Sequence, residues 1–346
     1  MKSMKIMKEK TFWLAAVLTL TCSMLGVTIA KIPYLNLIGA LVLSMLLGML
    51  LQSAPKTINK ARPGIGFISN KFLRLGIILL GFKLNLVTLA QSGVKTIVIA
   101  MIVVTCTIFL TYKLCMYFGA DSELAILTAT GCGICGAAAV MGMSPQIETF
   151  DEERKRENEV LAVAVASVMG TLFILIELTL KSFLHLSDAQ FGIMAGGSLH
   201  EIAQAVAAGG AGGAVSLQHA IIMKLSRVLL LAPAALVVGI WYQKHLQKEM
   251  QATSGKQIKL KKLPIPWFMA GFILSSLIGT FMPIPESVIN FLVQAAYVFL
   301  GMAMAALGMS VNFKVLFKRG QSVFKGAFIS STILLIFMLL VSIYLF

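Results

Sequence analysis

The chain has 346 residues, 58% of them apolar and only 12% charged, against about 25% charged in an average soluble domain. With a mean hydropathy of +0.90 it has too few polar groups to cover a soluble surface, which excludes an ordinary cytosolic enzyme, a disordered chain and a small disulfide scaffold. The 29 Lys and Arg against 14 Asp and Glu, a net charge of +15, fall mostly between apolar runs, the pattern of cytoplasmic loops rather than of a nucleic-acid surface.

The apolar residues come in long runs and not in the alternation of an outer-membrane barrel. A membrane-crossing helix needs about 20 apolar residues, and eleven segments are candidates. They are Thr11–Ala30, Leu35–Leu51, Phe72–Ala90, Val94–Tyr117, Ser122–Met143, Val160–Leu180, Phe191–Gly213, Val215–Tyr242, Trp267–Met282, Val288–Met309 and Ala327–Phe346. The first follows a basic stretch, MKSMKIMKEK, but is too long for a signal-peptide core and has no small-x-small cleavage site after it, so it reads as the first span. Basic stretches at Ala54–Lys71, Gln243–Lys262 and Phe313–Lys325 read as cytoplasmic loops, and the short loops Lys31–Tyr34, Gln91–Gly93 and Pro283–Ser287 as external ones. The N-terminus is then inside and the C-terminus outside.

The segments Ser122–Met143 and Phe191–Gly213 are unusual. If the first crosses completely, Ser144–Glu159 with Arg154, Lys155 and Arg156 lies outside, against the positive-inside preference. If it turns back, that loop lies inside, and Phe191–Gly213 must turn back from the outside. The two segments also echo one another at an offset of 65 residues: Gly131-Cys132-Gly133-Ile134-Cys135-Gly136 aligns with Gly196-Gly197-Ser198-Leu199-His200-Glu201. A second echo joins Leu80–Asn85 to Leu307–Asn312. Gly-interrupted segments with internal symmetry point to a secondary transporter; small residues also recur as plain packing residues in helix bundles. Each glycine weakens a helix interior by about 1 kcal/mol relative to alanine, and a break inside the bilayer bares N–H groups that attract anions and carbonyls that hold cations.

Polar residues concentrate in the same places. His200, Glu201 and Gln204 are candidates for substrate contact or proton coupling, or for a hydrogen-bonded structural cluster. Lys224 and Arg227, three apart on one helix face, either offset the charge of an anionic substrate or snorkel to an interface. Lys83 reads as a snorkelling residue, Asn85 and Asn312 as interhelical donors, and Glu177 as a residue reaching the interface with Lys181. The pair Cys132 and Cys135 has the C-x-x-C spacing of redox or metal sites, but no further Cys or His pair stands at zinc-ligand spacing. Neither a Ser-His-Asp pattern nor a phosphate loop is present, so the chain is not expected to be an enzyme.

At these residues the sequence resembles the YeiH family of bacterial inner-membrane proteins, which carries a sulfate-exporter label. Gly131–Ala137 resembles the family's G-T-S-I-C-G-A signature, with Cys132 and Gly133 in place of Thr and Ser, a loss of two hydroxyls. Gly197–Gln204 resembles its second signature, Lys224–Pro233 its K-L-x-R-V-x-x-L-x-P helix, and Ala303–Met309 its penultimate span. The resemblance implies inverted repeats, discontinuous helices and an elevator-type motion. The expectation is one all-α polytopic membrane domain over residues 1–346, with nine to eleven transmembrane segments, two of them discontinuous or re-entrant, and an inverted repeat of about 11–180 and 190–346. It would be a secondary-active exporter of a small anion such as sulfate or an organosulfonate in the bacterial inner membrane. Its site would comprise Gly131, Cys132, Gly133, Cys135, Gly136, Ser198, His200, Glu201, Gln204, Lys224 and Arg227. No cofactor is expected beyond a coupling H⁺ or Na⁺; the partners would be the bilayer, the anion and copies of itself, without nucleic acid. A passive small-solute channel, a proton- or sodium-coupled carrier of another organic anion, and a redox enzyme using Cys132 and Cys135 are the alternatives.

Overall fold

A computed structural model describes residues 10–32, 40–53, 55–83, 86–87, 94–147, 149, 151–254, 267–309 and 313–346. The regular elements among them are helical: α1 (Lys10–Ile29), α2 (Ala40–Leu50), α3 (Pro55–Leu80), α4 (Val94–Tyr117), α5 (Ser122–Gly133), α6 (Ala137–Met143), α7 (Glu152–Phe183), α8 (Asp188–Ser198), α9 (Ile202–Ala211), α10 (Ala214–Leu229), α11 (Leu231–Ser254), α12 (Trp267–Phe281), α13 (Glu286–Gly308) and α14 (Phe313–Leu345). No strand occurs among the described residues.

Among the described residues seven stretches are long and apolar enough to cross a membrane: Thr11–Ile29, Thr57–Lys83, Val94–Tyr117, Glu153–Phe183, Ala214–Lys244, Glu286–Gly308 and Arg319–Leu345. The remaining apolar segments form shorter helices. Two of the expected basic loops are helical instead. Residues 55–71 open α3, where Ala61, Ile65 and Ile68 recur at helical spacing and are buried, while Lys60, Arg62 and Lys71 lie on the other faces. Residues 313–325 open α14. The loop expected at 144–159 is likewise half helix, because the Asp151 side chain accepts the Glu153 and Arg154 amides at 2.9 and 3.1 Å and starts α7 there. The 243–262 stretch is helical as far as Ser254, where it continues α11; its remainder, Asn85 and Asn312 lie outside the described residues.

The helices form two groups. In the first, α1, α2, α3, α12 and α13 interlock through small residues. Gly48 faces the Ala305 carbonyl and Gly308 the Met45 carbonyl so closely that a Cβ would stand 2.2 and 2.1 Å from them. Ser23 Oγ donates to the Val298 carbonyl at 3.0 Å, and Gln52 Nε2 to the Gly308 carbonyl at 2.6 Å, closing the end of α13. Without a hydrophobic drive between helices in lipid, such close backbone approach supplies the packing energy.

The second group holds α4 to α11 and α14. Here α4 and α14 run antiparallel along their length: Lys95 donates to the Leu345 carbonyl, Thr111 pairs with Ser330, and Cys115 lies 3.8 Å from the Val323 carbonyl. The seam between the groups is side-chain packing, with Met45, Leu73, Ile77, Met304 and Leu307 joining the core that surrounds α5 to α8.

Within this second group the two unusual segments are hairpins. Asp121, just before α5, pairs with Asn158 at 3.3 Å and with Arg319 at 2.9 Å, and Ser144, just after α6, donates to Glu159. Both ends of the α5–α6 segment therefore sit at the first turns of α7. The second segment is anchored at the other end of α7. Lys181 donates to the Ala211 carbonyl at 2.5 Å, and a Cβ on Gly213 would lie 3.7 Å from Asp188 Oδ2, so the start of α8 and the end of α9 lie together. The two hairpins enter from opposite ends of the bundle. With 12 residues in α5 and 11 in α8, each descending arm is about 16–18 Å long at 1.5 Å per residue, roughly half the thickness of a bilayer's hydrocarbon core.

Candidate functional site at the hairpin tips

The tips meet at the middle of the bundle. A Cβ on Gly133 would lie 2.6 Å from Ile108, near the midpoint of α4, and His200 Nε2 lies 2.9 Å from Ser331 Oγ, near the midpoint of the apolar part of α14. The chain leaves helical geometry at Ile134–Gly136 and again at Leu199–Glu201. The first turn depends on Gly136, whose φ of +67° and ψ of −130° lie in a region that side chains with a Cβ avoid. The breaks share a register: Gly133 and Ser198 end their arms 65 residues apart, and Ala137 and Ile202 begin the returning arms at the same separation.

Each break leaves carbonyls at a helix C-terminus without intrahelical partners. α10 supplies those partners. Arg227 donates from Nε to the Gly133 carbonyl at 3.2 Å and from Nη2 to Cys132 and Gly133 at 3.0 and 2.8 Å. Its Nη1 donates to Gly197 and Leu199 at 2.6 and 3.0 Å. All five guanidinium protons are thereby used. Lys224 Nζ donates to Ile134 at 2.8 Å and to Leu199 at 2.6 Å, which leaves one of its three protons over. Two helix C-termini, each carrying a partial negative charge, thus converge on two cations. Both side chains are 0% exposed, so neither snorkels. α8 can lie this close to α10 because Gly192 and Gly196 face the Ser216 and Ala220 carbonyls.

The carboxylates approach from the other side. Along one face of α7, Ser167 donates to Glu201 at 2.7 Å, Gly170 abuts the Gln204 amide, Phe173 lies 6.4 Å from the His200 ring, and Glu177 meets Ser198 at 2.6 Å. Glu201 also caps α9: its side chain accepts the Gln204 amide, and Gln204 Oε1 accepts the Glu201 amide at 3.0 Å. The anion-attracting end of α9 is therefore held by the chain's own carboxylate. Three buried polar atoms around the tips have no hydrogen-bond partner: Glu177 Oε2, His200 Nδ1 and Gln204 Nε2.

The structure thus brings the eleven candidate site residues of the two hairpins and α10 together, whereas Lys83 lies apart and Asn85 and Asn312 fall outside the described residues. It corrects the role of Glu177, which is 0% exposed and belongs to this cluster instead of reaching the interface with Lys181. It also adds Ser167 and Ser331. Lys83, expected to snorkel, reaches the Tyr297 hydroxyl at 3.5 Å. Among the described residues no three His, Cys, Asp or Glu side chains are grouped to hold a metal. Cys132 and Cys135 are buried free thiols.

A second polar cluster lies at the base of the first hairpin. Arg319 binds Asp121, Asn158 at 2.7 Å and Glu157 at 3.4 Å, beside a cavity of about 360 Å³ bounded by Asp121, Gln321, Ser322 and Lys325.

The family described as Conserved hypothetical protein 698 matches residues 15–326. A UPF0324 membrane protein of Lactobacillus johnsonii is 66% identical over 97% of this chain and 98% of its own length. UPF0324 membrane proteins of Bifidobacterium longum and Bacillus cereus are 47% and 39% identical, over 93% and 96% of this chain and 92% and 95% of theirs. No solved structure matches the chain. With the match running through both hairpins and α10, the chain belongs to the UPF0324 family of membrane proteins, the YeiH-type family whose motifs it carries.

Proposed function

We propose that the protein is a secondary-active transporter of a small anion, with the paired hairpin tips as its substrate site. The observation that carries this reading is the meeting of two opposed hairpins at mid-depth, their open ends bound by Lys224 and Arg227. Irregular backbone and ionisable side chains are costly within a bilayer and mark substrate or ion pathways when they occur there. The common 65-residue register of the breaks, with opposed hairpin directions, supports an inverted repeat. The spare proton of Lys224 gives an anion its first donor, and the side-chain seam between the two helix groups gives the hairpin group a surface to move along. The excess of basic residues at the Arg319 end supports a cytoplasmic position for that end, and with it an internal N-terminus and an external C-terminus. Sulfate and simple organosulfonates are the substrates to try first.

The test is counterflow in proteoliposomes loaded with unlabelled anion. Saturable uptake of labelled sulfate or sulfonate that depends on internal anion, and that is lost in Lys224→Met, supports the reading. Flux that neither saturates nor exchanges would establish the passive channel instead.

A further inference from the structure

We propose that Glu177 is a buried proton-binding residue, held as a neutral carboxylic acid by Ser198, and that its proton is the coupling ion; the coupling half of this rests on the transport reading above. The inference comes from counting protons. Ser198 Oγ lies 2.6 Å from Glu177 Oε1 and also 2.6 Å from the Met194 carbonyl. A hydroxyl has one proton to give. Where such a proton is shared between two acceptors, both contacts lengthen, as at Ser276, whose hydroxyl lies 3.0 and 2.9 Å from the Gly81 and Phe272 carbonyls. Two contacts of 2.6 Å instead need two protons. The Met194 carbonyl has none, so Glu177 supplies the second. The chain runs from the Glu177 carboxyl O–H to Ser198 Oγ, and from the Ser198 O–H to Met194.

The rest of the surroundings agrees. Glu177 Oε2 is buried without a partner, a tolerable state for the carbonyl oxygen of an acid and an expensive one for a carboxylate. Glu201, by contrast, accepts from both the Ser167 hydroxyl and the Gln204 amide, donors that suit an ionised group. The charged groups facing Glu177 are Lys224 and Arg227 from α10. α8 contributes Ser198 and the Met194 carbonyl, the junction contributes His200, α9 contributes Gln204, and Lys181 lies one turn further along α7 with its ammonium on Ala211. Among the described residues neither cation is in ion-pair contact with Glu177; Arg227 gives all five protons and Lys224 two of its three to carbonyls of the tips. Release breaks the Glu177 O–H bond, leaves the electron pair on the carboxylate and passes the proton to water on the open side.

The protonation state can be read without transport. Infrared spectra of the full chain in lipid nanodiscs at neutral pH are expected to contain a protonated-carboxyl C=O band that disappears in Glu177→Gln, persists in Glu201→Gln and moves to higher frequency in Ser198→Ala. A spectrum unchanged by Glu177→Gln, or a band indifferent to Ser198→Ala, overturns the assignment. In proteoliposomes, an imposed pH gradient should drive anion uptake by the wild type and not by Glu177→Gln. Retained gradient-driven uptake overturns the coupling role. Wild-type protein that carries the band but moves no sulfate or sulfonate refutes the transport reading alone.

Discussion

Glu201 lies directly over Gly136: a methyl group placed on that glycine would stand 2.7 Å from Glu201 Cγ and 3.2 Å from Oε1. The turn of one hairpin is thus the floor beneath the capping carboxylate of the other. Gly136→Ala meets two penalties at once, the positive φ and the collision. The backbone part alone costs about 1–3 kcal/mol, and Glu201 must move off the α9 terminus. The expected outcome is a lowered melting temperature in nanodiscs together with loss of anion counterflow. Wild-type behaviour in both would mean that the tips do not approach each other as described.

Arg227 should tolerate no substitution. Arg227→Met removes five hydrogen bonds to four carbonyls and leaves those carbonyls buried. Each buried carbonyl left without a partner costs about 1–3 kcal/mol. Arg227→Lys keeps the charge but cannot span both tips with a planar fork, so it should fall nearer to the Met variant than to wild type. Thermal unfolding followed by intrinsic fluorescence distinguishes these outcomes.

The two thiols of the first hairpin should be dispensable. The double variant Cys132→Ser, Cys135→Ser is expected to retain counterflow, because both side chains are buried and the bonds at position 132 that matter are made by its carbonyl. Lost activity with normal unfolding would revive the redox reading.

Opposed hairpins make a topological prediction. In a cysteine-free background, Glu153→Cys and Asp188→Cys occupy exposed positions at the bases of the first and second hairpins. A membrane-impermeant maleimide should label them from opposite sides, Glu153→Cys from the cytoplasm. Labelling of both from one side would remove the hairpin arrangement.

Part of this site could be read along the chain: the breaks at 134–136 and 199–201 fall within the two echoing segments, although only the first turn itself holds a glycine. The spacing of Lys224 and Arg227 was also visible, but not their partners, since main-chain carbonyls some 90 residues away leave no trace in side-chain identity. Glu177 escaped for a related reason. A lone acid near a lysine reads as interfacial until the hairpin that surrounds it is folded. The basic stretches at 55–71 and 313–325 misled in the opposite way, because charge density suggested loops while their apolar residues kept helical period.

Since a single guanidinium grips both tips, neither hairpin can swing open by itself without tearing that clasp. For the proposed transport, this means that the two hairpins and α10 would have to move together as one piece.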